Sequence, residues 1–214
     1  WARRSAAGVV PPVSDILAMT PDEQYVAFCS AGQNLDPTKT DTNGIGDVYR
    51  RHLPSGITML VSVSTDGTTA GNGACPMTPQ VRISTDGRYV AFMSEATNLV
   101  SGITDTTSHD LFVRDMQMGT TSLVTVNAAG THAVGTVNSA AFDLSDDGRS
   151  IVFVSRATTI IAGFVDGNGS QSDVYRRNLQ TGTTTLVSAS RLGATRGANG
   201  PSYIGAESHH VMSA

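Results

Sequence analysis

Three stretches gather oxygen-bearing side chains on short bends rich in glycine and serine: Asp41-Thr-Asn-Gly-Ile-Gly-Asp47, Asp105-Thr-Thr-Ser-His-Asp110 and Asp166-Gly-Asn-Gly-Ser-Gln-Ser-Asp173. A hard cation such as calcium takes carboxylate, amide and backbone oxygens presented at alternate positions of a tight bend. Asp41, Asn43 and Asp47 are therefore the first candidate ligands, and Asp166, Asn168 and Asp173 the second. A competing chemistry needs no ion, because Asp and Asn also build turns by bonding their own backbone. The end aspartates lie six, five and seven residues apart, a drift that a geometry-defined site would not tolerate. Turn-building is the favoured reading, and the cofactor expectation is none, or calcium at these loops.

Other reactive groups carry less. His209-His210 suggests a transition metal, but adjacent side chains on an extended strand point to opposite faces. The arginines Arg50-Arg51, Arg114 and Arg176-Arg177 recur along the chain and read as solvated positions that keep strand edges from pairing. The chain has no Gly-x-Ser-x-Gly elbow, His-Glu-x-x-His helix or phosphate-cradling glycine loop, so no catalytic residues are assigned and the chain is read as noncatalytic. A net charge of -4 with one lysine, Lys39, argues against nucleic acid, which needs clustered cations. No apolar run reaches membrane-spanning length.

The elements that carry these loops repeat. Asp47, Asp110 and Asp173 are spaced by 63 residues, as are Gly56, Gly119 and Gly182. A fixed period means one supersecondary unit used several times. Within each unit a short apolar stretch (Leu17 to Met19, Val81 to Ile83, Phe142 to Leu144) meets a turn carrying Asp22, Asp86-Gly87 or Asp147-Gly148, the latter two a hairpin signal. The next stretch (Tyr25 to Cys29, Tyr89 to Met93, Ile151 to Val154) is apolar at nearly every position, as a strand covered on both faces must be. A third strand starts at the repeating aspartate, and a fourth ends in Leu60-Val61, Leu123-Val124 or Leu186-Val187. With 26 Thr, 22 Ser and 22 Gly, the composition suits many short strands and tight turns.

The expected fold is all-β: four-stranded antiparallel sheets arranged as the blades of a β-propeller, three complete and a fourth begun. Ile204 to Ser213 lies over Ile83 to Phe92 position for position. Residues 15–78, 79–140 and 141–200 are the expected blades, with 1–14 the end of a preceding unit or a linker. Residues 201–214 start a partial fourth blade or form a cap strand. Val26, Phe28 and Leu60, with Val90, Phe92, Leu123, Ile151, Phe153 and Leu186, form the expected core. Cys29 and Cys75 fit a disulfide or two separate buried thiols equally well.

Ser84-Thr-Asp-Gly-Arg-Tyr-Val-Ala-Phe92 and Ser145-Asp-Asp-Gly-Arg-Ser-Ile-Val-Phe153 resemble the core of the bacterial TolB-like, WD40-like propeller repeat family. Ala96 to Val100, Asp41 to Gly44, Asp110 to Asp115 and Thr181 to Ser188 resemble its longer subtype, and the match runs over about nine tenths of the chain. The resemblance implies an extracellular or periplasmic propeller without catalytic residues of its own.

Starting at Trp1 rather than Met, the chain reads as a processed or excised product. Too few units to close a ring implies a structural scaffold completed by other copies of the same chain, as an oligomer or filament, or by missing blades of a parent chain. The alternatives are a ligand- or protein-binding propeller module of a longer secreted protein and the propeller domain of an exported hydrolase.

Overall fold

The computed structural model describes residues 17–76, 81–105, 109–134, 142–169 and 171–202. They form three four-stranded antiparallel sheets, each in simple sequence order. Blade 1 comprises β1 (Leu17–Met19), β2 (Tyr25–Ser30), β3 (Asp47–His52) and β4 (Thr58–Leu60). Blade 2 comprises β5 (Val81–Ile83), β6 (Tyr89–Ser94), β7 (Asp110–Asp115) and β8 (Thr120–Leu123). Blade 3 comprises β9 (Phe142–Leu144), β10 (Ser150–Ser155), β11 (Asp173–Asn178) and β12 (Thr184–Leu186). The innermost strands adjoin, β1 against β5 and β5 against β9, which sets the sheets around a common axis as propeller blades.

Both faces of each sheet are used, and they differ. One face of every blade carries a stacked aromatic pair: Phe28 with Tyr49, Phe92 with Phe112 and Phe153 with Tyr175, at 6.0, 5.8 and 5.7 Å between ring centroids. The other carries smaller apolar residues. Ala27, Cys29, Val48 and Val61 of blade 1 pack on the aromatic face of blade 2, and Ala91, Met93, Leu111, Val113 and Val124 pack on that of blade 3. This large-on-small fit explains why β2, β6 and β10 lack alternation, since each successive side chain meets a different neighbour. The expected core residues are buried in all three blades.

The turns after β1, β5 and β9 span five residues, longer than a two-residue Asp-Gly hairpin. Ser84 Oγ donates to Asp86 at 2.6 Å and accepts the Tyr89 N–H at 2.9 Å, and Ser145 does the same with Asp147 and Ser150. In blade 1 Thr20 and Asp22 repeat the device. There Glu23 holds the left-handed φ of 58° that Gly87 and Gly148 hold at 72° and 68°. Cys29 and Cys75 are disulfide-bonded with a Cα separation of 6.6 Å, so β2 is tied to the irregular segment that follows blade 1. Among the described residues no helix is long and apolar enough to cross a membrane.

Candidate functional site

The repeating aspartate opens the third strand of each blade, where burial alone would make a carboxylate costly. Asp47 is satisfied by Ser62, whose hydroxyl donates to Oδ1 at 2.6 Å and accepts the Val48 N–H at 3.0 Å. Thr125 bridges Asp110 and the Leu111 N–H in the same way, at 2.6 and 3.1 Å. Ser188 bridges Asp173 and the Val174 N–H at 2.8 and 3.1 Å. Each aspartate therefore pins the third strand of its blade to the segment that follows the fourth. Ser62, Thr125 and Ser188 are themselves 63 residues apart, a period that signals the tie in the sequence.

The first acidic loop is drawn together around this tie. Asn43 Nδ2 donates to Asp47 Oδ2 at 2.8 Å and to the Gly71 carbonyl at 2.9 Å, while its Oδ1 accepts the Ile45 N–H at 2.9 Å. Asp41 Oδ2 accepts the Tyr49 hydroxyl, and Asp41 Oδ1 is buried without a hydrogen-bond partner. Burial pushes the Asp47 carboxyl up to about 6, against the Ser62 and Asn43 bonds that pull it down, and the nearby Asp41 charge adds to the rise. Burial, and then the bond to Asp41, also raise the Tyr49 hydroxyl.

The third loop follows a similar plan with weaker enclosure. Asp166 Oδ1 accepts the Asn168 N–H at 2.9 Å, and Asn168 Nδ2 donates to the Gly200 carbonyl at 3.1 Å, as Asn43 does to Gly71. Burial raises the Asp173 carboxyl, and the Asp166 charge adds to it. Asn168 Oδ1 is the oxygen left without a partner here. In both loops the candidate ligands are brought together, but mostly as partners of one another and of the backbone. Among the described residues, no three His, Cys, Asp or Glu side chains gather as a metal-holding group.

Of the recurring arginines, Arg50, Arg51, Arg114 and Arg177 are half-buried, and Arg176 is exposed. Arg51 donates to Thr58 at 2.7 Å, Arg114 to Thr121 at 2.9 Å and Arg177 to Thr184 at 2.9 Å, each the directly paired residue on the outer strand. Burial lowers the guanidinium pKa of Arg114 and Arg177. His209-His210 lies outside the described residues.

The surfaces that differ from blade to blade are the two ends of the stack. Met19, Ile83 and Leu144 occupy one register position, opposite Val26, Val90 and Ile151. Ile83 and Leu144 are 6% and 1% exposed under the preceding blade, whereas Met19 is 53% exposed. At the other end Val61 and Val124 are fully buried under the following blade, whereas Val187 is 55% exposed. The bare area on blade 1 is narrower than an uncovered blade face would be, because Phe28, Tyr49 and Leu60 are buried in a cluster with Leu35 and Val63.

Three blades with adjoining inner strands, periodic internal ties and, among the described residues, an exposed apolar side chain at each end form a β-propeller segment. Among solved structures the chain is similar to TolB from Acinetobacter baumannii, at 18% identity over 80% of this chain and 31% of that one, with a TM-score of 0.42. It is also similar to the β-propeller domain of the Trilobed protease from Pyrococcus furiosus, at 10% identity over 82% of this chain and 43% of that one, with a TM-score of 0.46. An acylaminoacyl peptidase from Pyrococcus horikoshii matches at 14% identity over 80% of this chain and 24% of that one, with a TM-score of 0.42. The chain thus spans less than half the length of each of these proteins. No protein-family model matches the chain, and no curated protein matches it.

Proposed function

We propose that the chain is a noncatalytic structural scaffold that works through its blade faces and is completed by association with further copies of itself. The contrast between Val187 and its buried counterparts Val61 and Val124 carries this reading: the same apolar position is covered at both internal seams and bare at the end. A position that is apolar in every blade and buried wherever a following blade covers it is suited to the same kind of cover at the end. The acidic side chains fit a structural role, since Asp47, Asp110 and Asp173 each serve an identical strand tie. In this reading the acidic loops build turns and need no ion. The Cys29–Cys75 disulfide supports an extracellular or periplasmic setting, where such bonds persist.

The test is the native mass of the purified chain in solution. Association gives twice the 22.3 kDa chain mass or a larger multiple. A monodisperse 22.3 kDa particle across the micromolar range would overturn self-assembly and point to blades of a longer parent chain as the cover.

A further inference from the structure

Both seams inside the chain are closed by a tyrosine laid on a glycine. Tyr25 of blade 1 lies on the turn between β5 and β6, where a Cβ added to Gly87 would overlap its ring. Tyr89 of blade 2 lies in the same way on Gly148, in the turn between β9 and β10. Glycine at these turns is thus required twice, by its left-handed φ and by the ring of the preceding blade. At the first seam an arginine completes the closure. Arg50 stands 4.6 Å over the Tyr25 ring and donates from Nη1 to the Gly87 carbonyl at 2.6 Å.

The two end blades depart from this rule in matching ways. In blade 3 the tyrosine position is Ser150, which accepts a hydrogen bond from Arg176 at 2.7 Å. Arg176 pairs with Val152 just as Arg50 pairs with Ala27, and it is exposed. In blade 1 the glycine position is Glu23, exposed and held at a φ of 58°. A blade presenting tyrosine would drive its ring into the Glu23 side chain. A blade presenting serine leaves that space open, and one that also presents an arginine supplies the opposite charge to fill it.

We propose that blade 3 of one copy docks on blade 1 of a second copy in the register of the internal seams. Arg176 then meets Glu23, and Val187 covers the edge marked by Met19. The inference rests on the self-assembly reading above and names the contact that would carry it. Two such junctions in one particle would close a ring of six blades, within the range of closed propellers. The sequence favours this partner over a copy of blade 2 or blade 3, because Gly87 and Gly148 offer no acid at the matching position. Ser208, which the repeat alignment sets at the glycine position of the fourth unit, would also tolerate a serine-bearing blade, so the experiment must separate the two.

The experiment compares native mass and dissociation constant for the wild type, Glu23→Arg, Arg176→Glu and the double reversal. Each single reversal places like charges at the junction and is expected to weaken association about tenfold or more, with the double variant restored to near wild type. Glu23 is exposed, so the melting temperature of Glu23→Arg at low concentration should hold, and that of Arg176→Glu should fall by no more than the loss of its bond to Ser150 explains. Cross-linking adds a structural readout: Glu23→Cys with Arg176→Cys should give a disulfide between copies, which neither single substitution gives. Association unchanged in both single variants would overturn the junction while leaving self-assembly standing, and so would a double variant weaker than either single. A monomeric wild type would overturn both.

Discussion

Asp47 is the residue on which the turn and calcium readings divide. Its spacing from Asp41 and Asn43 suits a calcium loop, yet both of its oxygens are spent on Ser62 and Asn43. The acids and their hydroxyl partners share one period in the sequence, but only the fold shows that they meet, because Ser62, Thr125 and Ser188 lie in the segments that follow the fourth strands. Burial leaves Asp47 with a measurable signature. Its carboxyl titrates near 6 when folded and near 3.8 when unfolded, so between those values the folded state holds the extra proton and stability falls as pH rises. The full loss is at most about 3 kcal/mol for a shift of this size. Asp22, Asp115 and Asp147, whose carboxyls are lowered by their hydrogen bonds, act in the opposite sense as pH drops through their folded values, which makes the difference between proteins the informative quantity. Denaturant unfolding of the wild type and Asp47→Asn from pH 4 to 7 should show the wild type losing stability relative to the variant across pH 4 to 6. A calcium ion seated on Asp41 and Asp47 would hold the carboxylates ionised and abolish that difference, so the same titration with and without calcium separates turn from metal site.

Strands were the most legible elements, because each blade repeats its apolar runs and its aspartate in fixed register. The faces were not. Nothing in Ala27 or Ala91 alone says that it meets an aromatic ring of the next blade, and the pairing of large with small faces emerges only once sheets are placed side by side. Glycine after aspartate is a turn signal in the sequence, which captures half of its role at Gly148. The other half is the Tyr89 ring above it, and a double-mutant cycle isolates that half. Gly148→Ala should destabilise the protein by more than the roughly 1 kcal/mol expected of a left-handed φ alone. In a Tyr89→Ser background only the conformational part should remain, so the two substitutions should couple by about 1 kcal/mol or more. Additive effects in thermal or denaturant unfolding would show that the seam does not depend on the tyrosine–glycine contact.

At the scale of the molecule, the repeat makes each end of the stack a controlled comparison with its interior. Counting units in the sequence says nothing of how exposure is shared among the described residues, where Leu35 and Val63 belong to the same buried cluster as Phe28. Val61, Val124 and Val187 occupy one position in three blades, with identical side chains and different surroundings. A glutamate at that position should therefore have three outcomes from one substitution. In Val124→Glu the carboxylate would be buried between blades 2 and 3 with no cation provided, and the domain should lose about 3 kcal/mol or more, as an unpaired buried charge does. Val61→Glu should behave alike at the seam of blades 1 and 2. In Val187→Glu the carboxylate reaches water in the isolated chain, so the monomer should change by no more than about 0.5 kcal/mol. What it should lose is association, because the edge that a second copy would cover now carries a charge. Measuring unfolding at low concentration and native mass at high concentration separates the two effects. A Val187→Glu variant that unfolds as readily as Val124→Glu would mean that this face is already covered within the chain, and a variant that associates like the wild type would mean that blade 3 is not where copies meet.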